Sequence, residues 1–224
     1  MKDYFNGKKL VIFDLDDTLI LEKDYVISGL REVAYYFSSR FSHDPNEVFD
    51  FLLLTFESQG RQKIFNKLLK KYSLADDCEI IKEMVSCYRN HYPDLKLTEY
   101  NKNKLVNLRN AGLKIAIVTD GLEVMQRNKV NALGLNQLVD IVIYCWSISA
   151  PKPDIKGFQK AMEAFSCTIA ETIIIGDNPE HDIKPAVILG VDCLRVLNGR
   201  YAKLPDLDKY KATACFNSLQ SIWE

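Results

Sequence analysis

The chain has 224 residues, enough for one large domain or for a domain carrying an insertion. Hydrophobic residues make up 47% and charged residues 26%, which provides for a buried core under a charged surface. Lys and Arg number 29 against 30 Asp and Glu, a net charge of -1. Without a basic excess, neither a nucleic-acid nor a membrane partner is expected. Lys67, Lys70 and Lys71 are the densest basic group and read as a solvated helix face. No run approaches the ~20 apolar residues of a membrane helix, and Met1 to Gly7 lacks the apolar stretch of a secretory leader. The six cysteines, Cys78, Cys87, Cys145, Cys167, Cys193 and Cys215, are scattered and form no C-x-x-C pair. They suit a reducing cytoplasm and argue against a zinc site or a disulfide framework. The patterning sets no oligomeric state.

In chain order, Leu10 to Phe13 is a short apolar run that ends abruptly in Asp14, Asp16 and Asp17, three acids within four residues. Clustered carboxylates after an apolar strand suit a metal site at a sheet edge better than a core. Glu22 to Pro93 contains no convincing strand. Helix-length patterns follow one another there, about 26–40, 45–57, 62–72 and 76–91, with Phe37, Phe41, Phe49, Phe51 and Phe56 as a separate apolar core. Gly60 and the Asp44-Pro45 step read as breakers. Arg61 and Gln62 read as a solvated turn, and His43 and His91 show no evident partner. Beyond this module, helical patterns at 101–110, 122–133 and 154–165 alternate with strand-like runs. Those runs are Lys114 to Val118, Ile141 to Tyr144, Thr172 to Ile175, Cys193 to Val196 and Ala212 to Phe216. Gly134 marks a helix C-terminus, and Asp154 after Pro153 a helix cap. The first four strands are nearly continuous Val- and Ile-rich runs, as in a parallel sheet covered on both faces. The expectation is an α/β fold, a doubly wound, mostly parallel Rossmann-like sheet with an inserted helical module. The core would span 1–20 and 95–224, and the insertion 21–94.

In open α/β sheets, ligands bind beyond the carboxyl ends of the strands. Asp14, Asp16, Asp17 and Thr18 follow the first strand, and Thr119, Asp120 and Gly121 the second. Pro151-Lys152-Pro153 comes some way after the third, and Gly176, Asp177, Asn178 and Asp182 follow the fourth. Carboxylates and polar backbone groups hold a hard cation such as Mg2+. The cation and a lysine can neutralise a phosphate dianion, so that a carboxylate nucleophile can approach it. A second carboxyl two residues on can protonate the leaving oxygen and later activate water.

The order Asp14-Leu15-Asp16-Asp17-Thr18, then Thr119, Lys152, and Gly176-Asp177 with Asp182, resembles the four motifs of the haloacid dehalogenase (HAD) superfamily. The resemblance implies Asp14 as the nucleophile that carries an aspartyl phosphate. It implies Asp16 as general acid and base, with its backbone carbonyl also on the metal. Thr119, Asp120, Gly121 and Lys152 would serve the phosphoryl group, and Asp14, Asp177 and Asp182 the Mg2+ ion, with Asp182 either a ligand or a partner through water. The inserted helices would be a C1-type cap that sets substrate choice. Dehalogenases proper lack an acid at the Asp16 position, because a halide needs no proton to leave. Asp16 therefore favours a phosphatase acting on a small phosphate ester. Thr119-Asp120-Gly121 with Gln126 and Lys129 downstream resembles many small-molecule phosphatases of the superfamily. A phosphotransferase or phosphomutase would share these motifs. A non-catalytic binding domain would have lost an acid or the lysine. Asp17 is expected to point away and support the turn, and His181 to be a polar loop residue.

Overall fold

Val and Ile pack well on a pleated surface and lose rotamer freedom in a helix, so short runs rich in them form strands. In a computed structural model, residues 3–223 are described. Met1 and Lys2 of the stretch read for a leader, and Glu224 at the end of the expected core range, lie outside the described residues. Six strands form one parallel sheet: β1 (Leu10–Phe13), β2 (Lys114–Thr119), β3 (Ile141–Tyr144), β4 (Thr172–Gly176), β5 (Asp192–Val196) and β6 (Ala214–Phe216), in the order β3-β2-β1-β4-β5-β6. Eight α-helices accompany them among the described residues: α1 (Glu22–Phe41), α2 (Pro45–Gln59), α3 (Ile64–Lys71), α4 (Cys78–Asn90), α5 (Glu99–Asn110), α6 (Glu123–Ala132), α7 (Lys156–Ala164) and α8 (Lys184–Leu189). None is long and apolar enough to cross a membrane. The chain divides into two compact units, Met1–Glu22 with Lys96–Glu224, and Lys23–Leu95.

In the sheet unit, β1 and β4 are buried along their whole length and β2 in all but its first residue. Successive strand residues face opposite sides of a sheet. On one side Leu10, Ile12, Ala116, Val118 and Ile174 pack with Phe158 and Ala161 of α7 and Ala186 of α8. The alternate residues Val11, Phe13, Ile115, Ile117, Ile173 and Ile175 are also fully buried, so both faces are covered. β3 departs from the expectation of complete burial. It is the edge strand, and its first two residues are only half-buried. β1 at the centre sets the register, with Phe13 opposite Ile117 on one side and Ile175 on the other. Asp14 prolongs this ladder, donating its N–H to the Ile175 carbonyl at 2.9 Å. The carboxyl ends of β1, β2 and β4 therefore lie side by side, where the chain switches from one half of the sheet to the other.

The helical unit has its own core, built from Val26, Leu30, Val33 and Phe37 of α1, Val48 and Leu52 of α2, Leu68 of α3 and Met84 of α4. Phe37 is fully buried, whereas Phe41, Phe51 and Phe56 pack at the core's margin. The Asp44-Pro45 step starts α2: the Asp44 carboxylate accepts from Asn46 N at 2.7 Å, and Pro occupies the first helical position. His43 and His91 do have partners: both pack on aromatic rings, and His91 Nδ1 also lies 2.7 Å from the Tyr88 carbonyl oxygen. His43 lies against Phe37 and Tyr72, and His91 against Tyr25 and Tyr88. Arg61 and Gln62 are exposed.

Helix starts differ from the sequence expectation where a single cap decides them. α5 begins at Glu99 because the Thr98 hydroxyl accepts from Asn101 N at 3.1 Å. α7 begins at Lys156. Asp154 sits one position before the cap residue Ile155, and its carboxylate accepts from Lys156 N at 2.9 Å. Gly134 does follow α6 in the left-handed conformation, with φ of 64°.

Candidate active site

Asp14 stands just beyond the buried β1 strand. Its Oδ1 accepts from Lys152 Nζ at 2.6 Å, and the same ammonium lies 2.6 Å from Asp182 Oδ1. Lys152 reaches the rim from the loop after β3. Its backbone N–H donates to both carboxylate oxygens of Asp120 at 3.1 Å. The Asp120 side chain thus anchors the lysine loop, a role its sequence position did not disclose. Asp182 follows β4 through a five-residue π-helical turn, Pro179–Ile183. Asn178 starts that turn by accepting from the N–H groups of Glu180 and His181. The half-buried His181 belongs to this turn rather than to an irregular loop. Asp182 Oδ2 closes the turn by accepting from Asn178 N at 3.0 Å. Gly176 permits this closeness, since a Cβ there would lie 2.5 Å from the Asp182 side chain.

Asp14, Asp177 and Asp182 are all buried, and one oxygen from each lies within 4.8 Å of the others. Burial pushes the Asp14 carboxyl up to about 8 against the pull of Lys152, and burial with the Asp14 charge pushes Asp177 up to about 9. Burial alone would lower Lys152, but the Asp14 and Asp182 charges outweigh it and hold the ammonium well above its ordinary value. Ionised together, the three buried acids would outnumber the one buried ammonium, a charge that a cation could offset, and Asp177 Oδ2 is buried with no hydrogen-bond partner. An all-oxygen donor set with a bare carboxylate oxygen fits a hard divalent cation such as Mg2+. Both oxygens of Asp182 already have donors.

Asp16 has different surroundings. Its side chain is 24% exposed, and both of its oxygens lie 2.7 Å from Lys129 Nζ. Gln126 Nε2 donates to Asp16 Oδ2 at 3.0 Å and to Thr119 Oγ1 at 2.5 Å. Thr119, the last residue of β2, is thereby joined to the Asp16 side of the rim. Gly121 follows with φ of 123°, and a Cβ there would lie 3.5 Å from Gln126. Asp17, in the left-handed region with φ of 57°, turns away and accepts from Glu22 N at 2.9 Å and Arg200 N at 3.1 Å.

Three side chains brace this rim, and the sequence motifs assign a role to none of them; Gln126 and Lys129 enter there only as residues downstream of Gly121. Gln126 and Lys129 of α6 are 2% and 3% exposed. Arg195 of β5, at 1%, donates to the Asp177 carbonyl at 3.0 Å and pairs with Asp206 at 2.6 Å. A signal was present for each. Gln126 and Lys129 share the helical stripe of Val130 and Leu133, and Arg195 interrupts an apolar strand.

The sequence model of the haloacid dehalogenase-like hydrolases matches residues 11–196. The chain belongs to this family. It is 31% identical over 218 residues to the glyceraldehyde 3-phosphate phosphatase of Methanocaldococcus jannaschii, covering 96% of this chain and 95% of the relative. It is 30% identical over 179 residues to the pyrophosphatase PpaX of Bacillus mycoides, covering 77% and 76%. The 2-haloacid dehalogenase of Pseudomonas syringae pv. Tomato DC3000 shares the fold of this HAD-family chain with a TM-score of 0.65 at 17% identity, covering 96% of each. One fold thus carries different chemistries, and the reaction must be argued from the side chains at the strand ends.

Proposed function

We propose that the protein is a Mg2+-dependent phosphatase that hydrolyses a small phosphorylated metabolite through an aspartyl phosphate on Asp14. The observation that carries this reading is the pair of acids two residues apart with unlike surroundings. Asp14 is buried against Lys152, and Asp16 is held by Lys129 and Gln126 at the exposed side of the rim. The names of the two curated relatives, both phosphatases, support the reaction class.

An Asp14 oxygen forms a bond to phosphorus as the ester P–O bond breaks, and the leaving oxygen takes the electron pair and a proton from Asp16. Asp16 then accepts a proton from water as the water oxygen attacks phosphorus. The Asp14–phosphorus bond breaks, inorganic phosphate departs, and the Asp14 carboxylate is restored. Lys152 and the Thr119 hydroxyl offset the charge of the phosphoryl oxygens, assisted by backbone N–H groups at Asp120 and Gly121. Asp14, the Asp16 carbonyl, Asp177 and Asp182, the last directly or through water, would hold Mg2+. When bound, it supplies positive charge to the phosphoryl group. The inserted helical unit serves as the cap that selects the substrate.

The test is phosphate release from p-nitrophenyl phosphate and from a panel containing glyceraldehyde 3-phosphate, phosphoserine and pyrophosphate, with Mg2+ and with Asp14→Asn as the blank. Released phosphate that vanishes in Asp14→Asn supports the reading. Full turnover in a clean Asp14→Asn preparation, or an isomerised substrate without free phosphate, overturns it.

A further inference from the structure

We infer that Gln126 and Lys129 are positioning residues that set the orientation of the proposed acid-base group Asp16 and of the Thr119 hydroxyl. This rests on the phosphatase reading above. Long polar side chains are seldom fully buried, yet these two occupy the inward face of α6, one turn apart, beside Val130. A buried ammonium requires a partner, and Lys129 finds it in both oxygens of Asp16 at 2.7 Å. Gln126 adds a third contact to the same carboxylate. Three donor contacts fix the rotation of a side chain that is otherwise a quarter exposed.

Chemistry also fixes the direction of the Gln126 amide. Asp16 Oδ2 already accepts from the Lys129 ammonium, which can only donate, so the nitrogen and not the oxygen of the amide faces it. The second N–H of that nitrogen goes to Thr119 Oγ1. The hydroxyl is the acceptor in that bond and keeps its own proton for another acceptor. A phosphoryl oxygen is the acceptor the proposed reaction would bring. One amide thus aims two groups, the proton carrier and the phosphoryl donor.

The measurement compares two esters of similar size under saturating Mg2+. In benzyl phosphate the leaving alcohol needs a proton, and in p-nitrophenyl phosphate the leaving group departs with little help. Lys129→Met is expected to lower kcat on benzyl phosphate about 100-fold, the scale of a misplaced catalytic group. On p-nitrophenyl phosphate the loss should stay below about 5-fold, because general-acid help is worth little to a good leaving group. KM for both esters should stay within about 3-fold, since Asp16 acts in the transition state. Gln126→Met, which also releases the Thr119 hydroxyl, should lower kcat on both esters. Lys129→Gln repeats the comparison if Lys129→Met does not fold by circular dichroism. A folded Lys129 variant that loses turnover equally on both esters, or loses none, overturns the inference. Asp16→Asn separates the two levels. If it is selectively impaired on benzyl phosphate and Lys129→Met is not, only the positioning role falls. If Asp16→Asn matches wild type, the phosphatase mechanism falls as well.

Discussion

The sheet unit and the helical unit use the same charged residues in opposite ways. At the strand ends, Asp14, Asp177, Asp182 and Lys152 are buried and converge within a few ångströms. In the helical unit the ion pairs Lys23–Glu57 and Arg40–Glu83 join side chains that are all at least 43% exposed. A buried charge without a partner is costly, so the rim needs every contact it makes, and its carboxyls are displaced from their ordinary values. An exposed pair is solvated whether or not it forms, and stabilises little. The contrast supports the proposed reactivity at the strand ends and leaves the helical ion pairs in contact with solvent.

The strongest way to break the comparison is Asp14→Asn. Loss of a nucleophile that acts with its partners as one unit should cost at least about 10^4-fold in kcat. The melting temperature should equal or exceed that of wild type, because the change removes a carboxylate that burial disfavours and that faces Asp177 and Asp182. A large drop in melting temperature would show that the buried acids stabilise the fold. Asp177→Asn comes next. Saturating wild type with Mg2+ at 100 times Kd should stabilise it by about 2.7 kcal/mol, a rise of about 5–10 °C for a chain of this size. That rise should vanish in Asp177→Asn, and kcat should fall about 100-fold or more with the metal's share of charge stabilisation. An unchanged Mg2+-induced rise would place the ion elsewhere.

Much of the rim is legible in the sequence because its signals are local. An apolar strand followed within one to four residues by acids survives any uncertainty about where the strand ends. The parallel sheet is legible for the same reason, since Leu10 to Phe13 and Thr172 to Ile175 lack alternation. The roles of the bracing residues are not. Lys129 meets Asp16 across 113 positions, and only the docking of α6 decides that its Gln126–Lys129–Val130 stripe faces the rim. Arg195 finds its partners, the Asp177 carbonyl and Asp206, only once β5 lies beside β4. Helix starts such as Glu99 turn on one hydroxyl, that of Thr98, which composition does not weight.

Glycine offers a matched pair of experiments across the two units. A Cβ at Gly176 would lie 2.5 Å from the Asp182 side chain, and one at Gly29 would lie 2.5 Å from the Tyr88 ring. Each Ala substitution overpacks its site and should cost about 1–3 kcal/mol. Gly176→Ala pushes Asp182 away from Lys152 and Asn178, so kcat per folded molecule should fall between about 10- and 100-fold. Gly29→Ala moves a ring in the helical core and should leave kcat within about 3-fold, a change too small to count as misplaced chemistry. Equal kinetic losses in both variants would dissolve the distinction between the units.

The smallest effect is expected at Arg40, where the contrast predicts almost nothing. Arg40 pairs with Glu83 and donates to the Tyr36 hydroxyl at 2.9 Å, a network that looks substantial by distance alone. Its members are nearly half exposed, so water and salt compete for every contact. Arg40→Ala should therefore change unfolding free energy by less than about 1 kcal/mol, with kcat unchanged. Urea melts of the wild type and of Arg40→Ala at low and at 0.5 M salt make the comparison. The small difference between the two proteins should shrink further as salt rises. A loss above about 2 kcal/mol that persists in high salt would mean the Arg40 stem packs on the helical core, as long cationic side chains can. The network would then belong with the rim among the contacts that the fold requires.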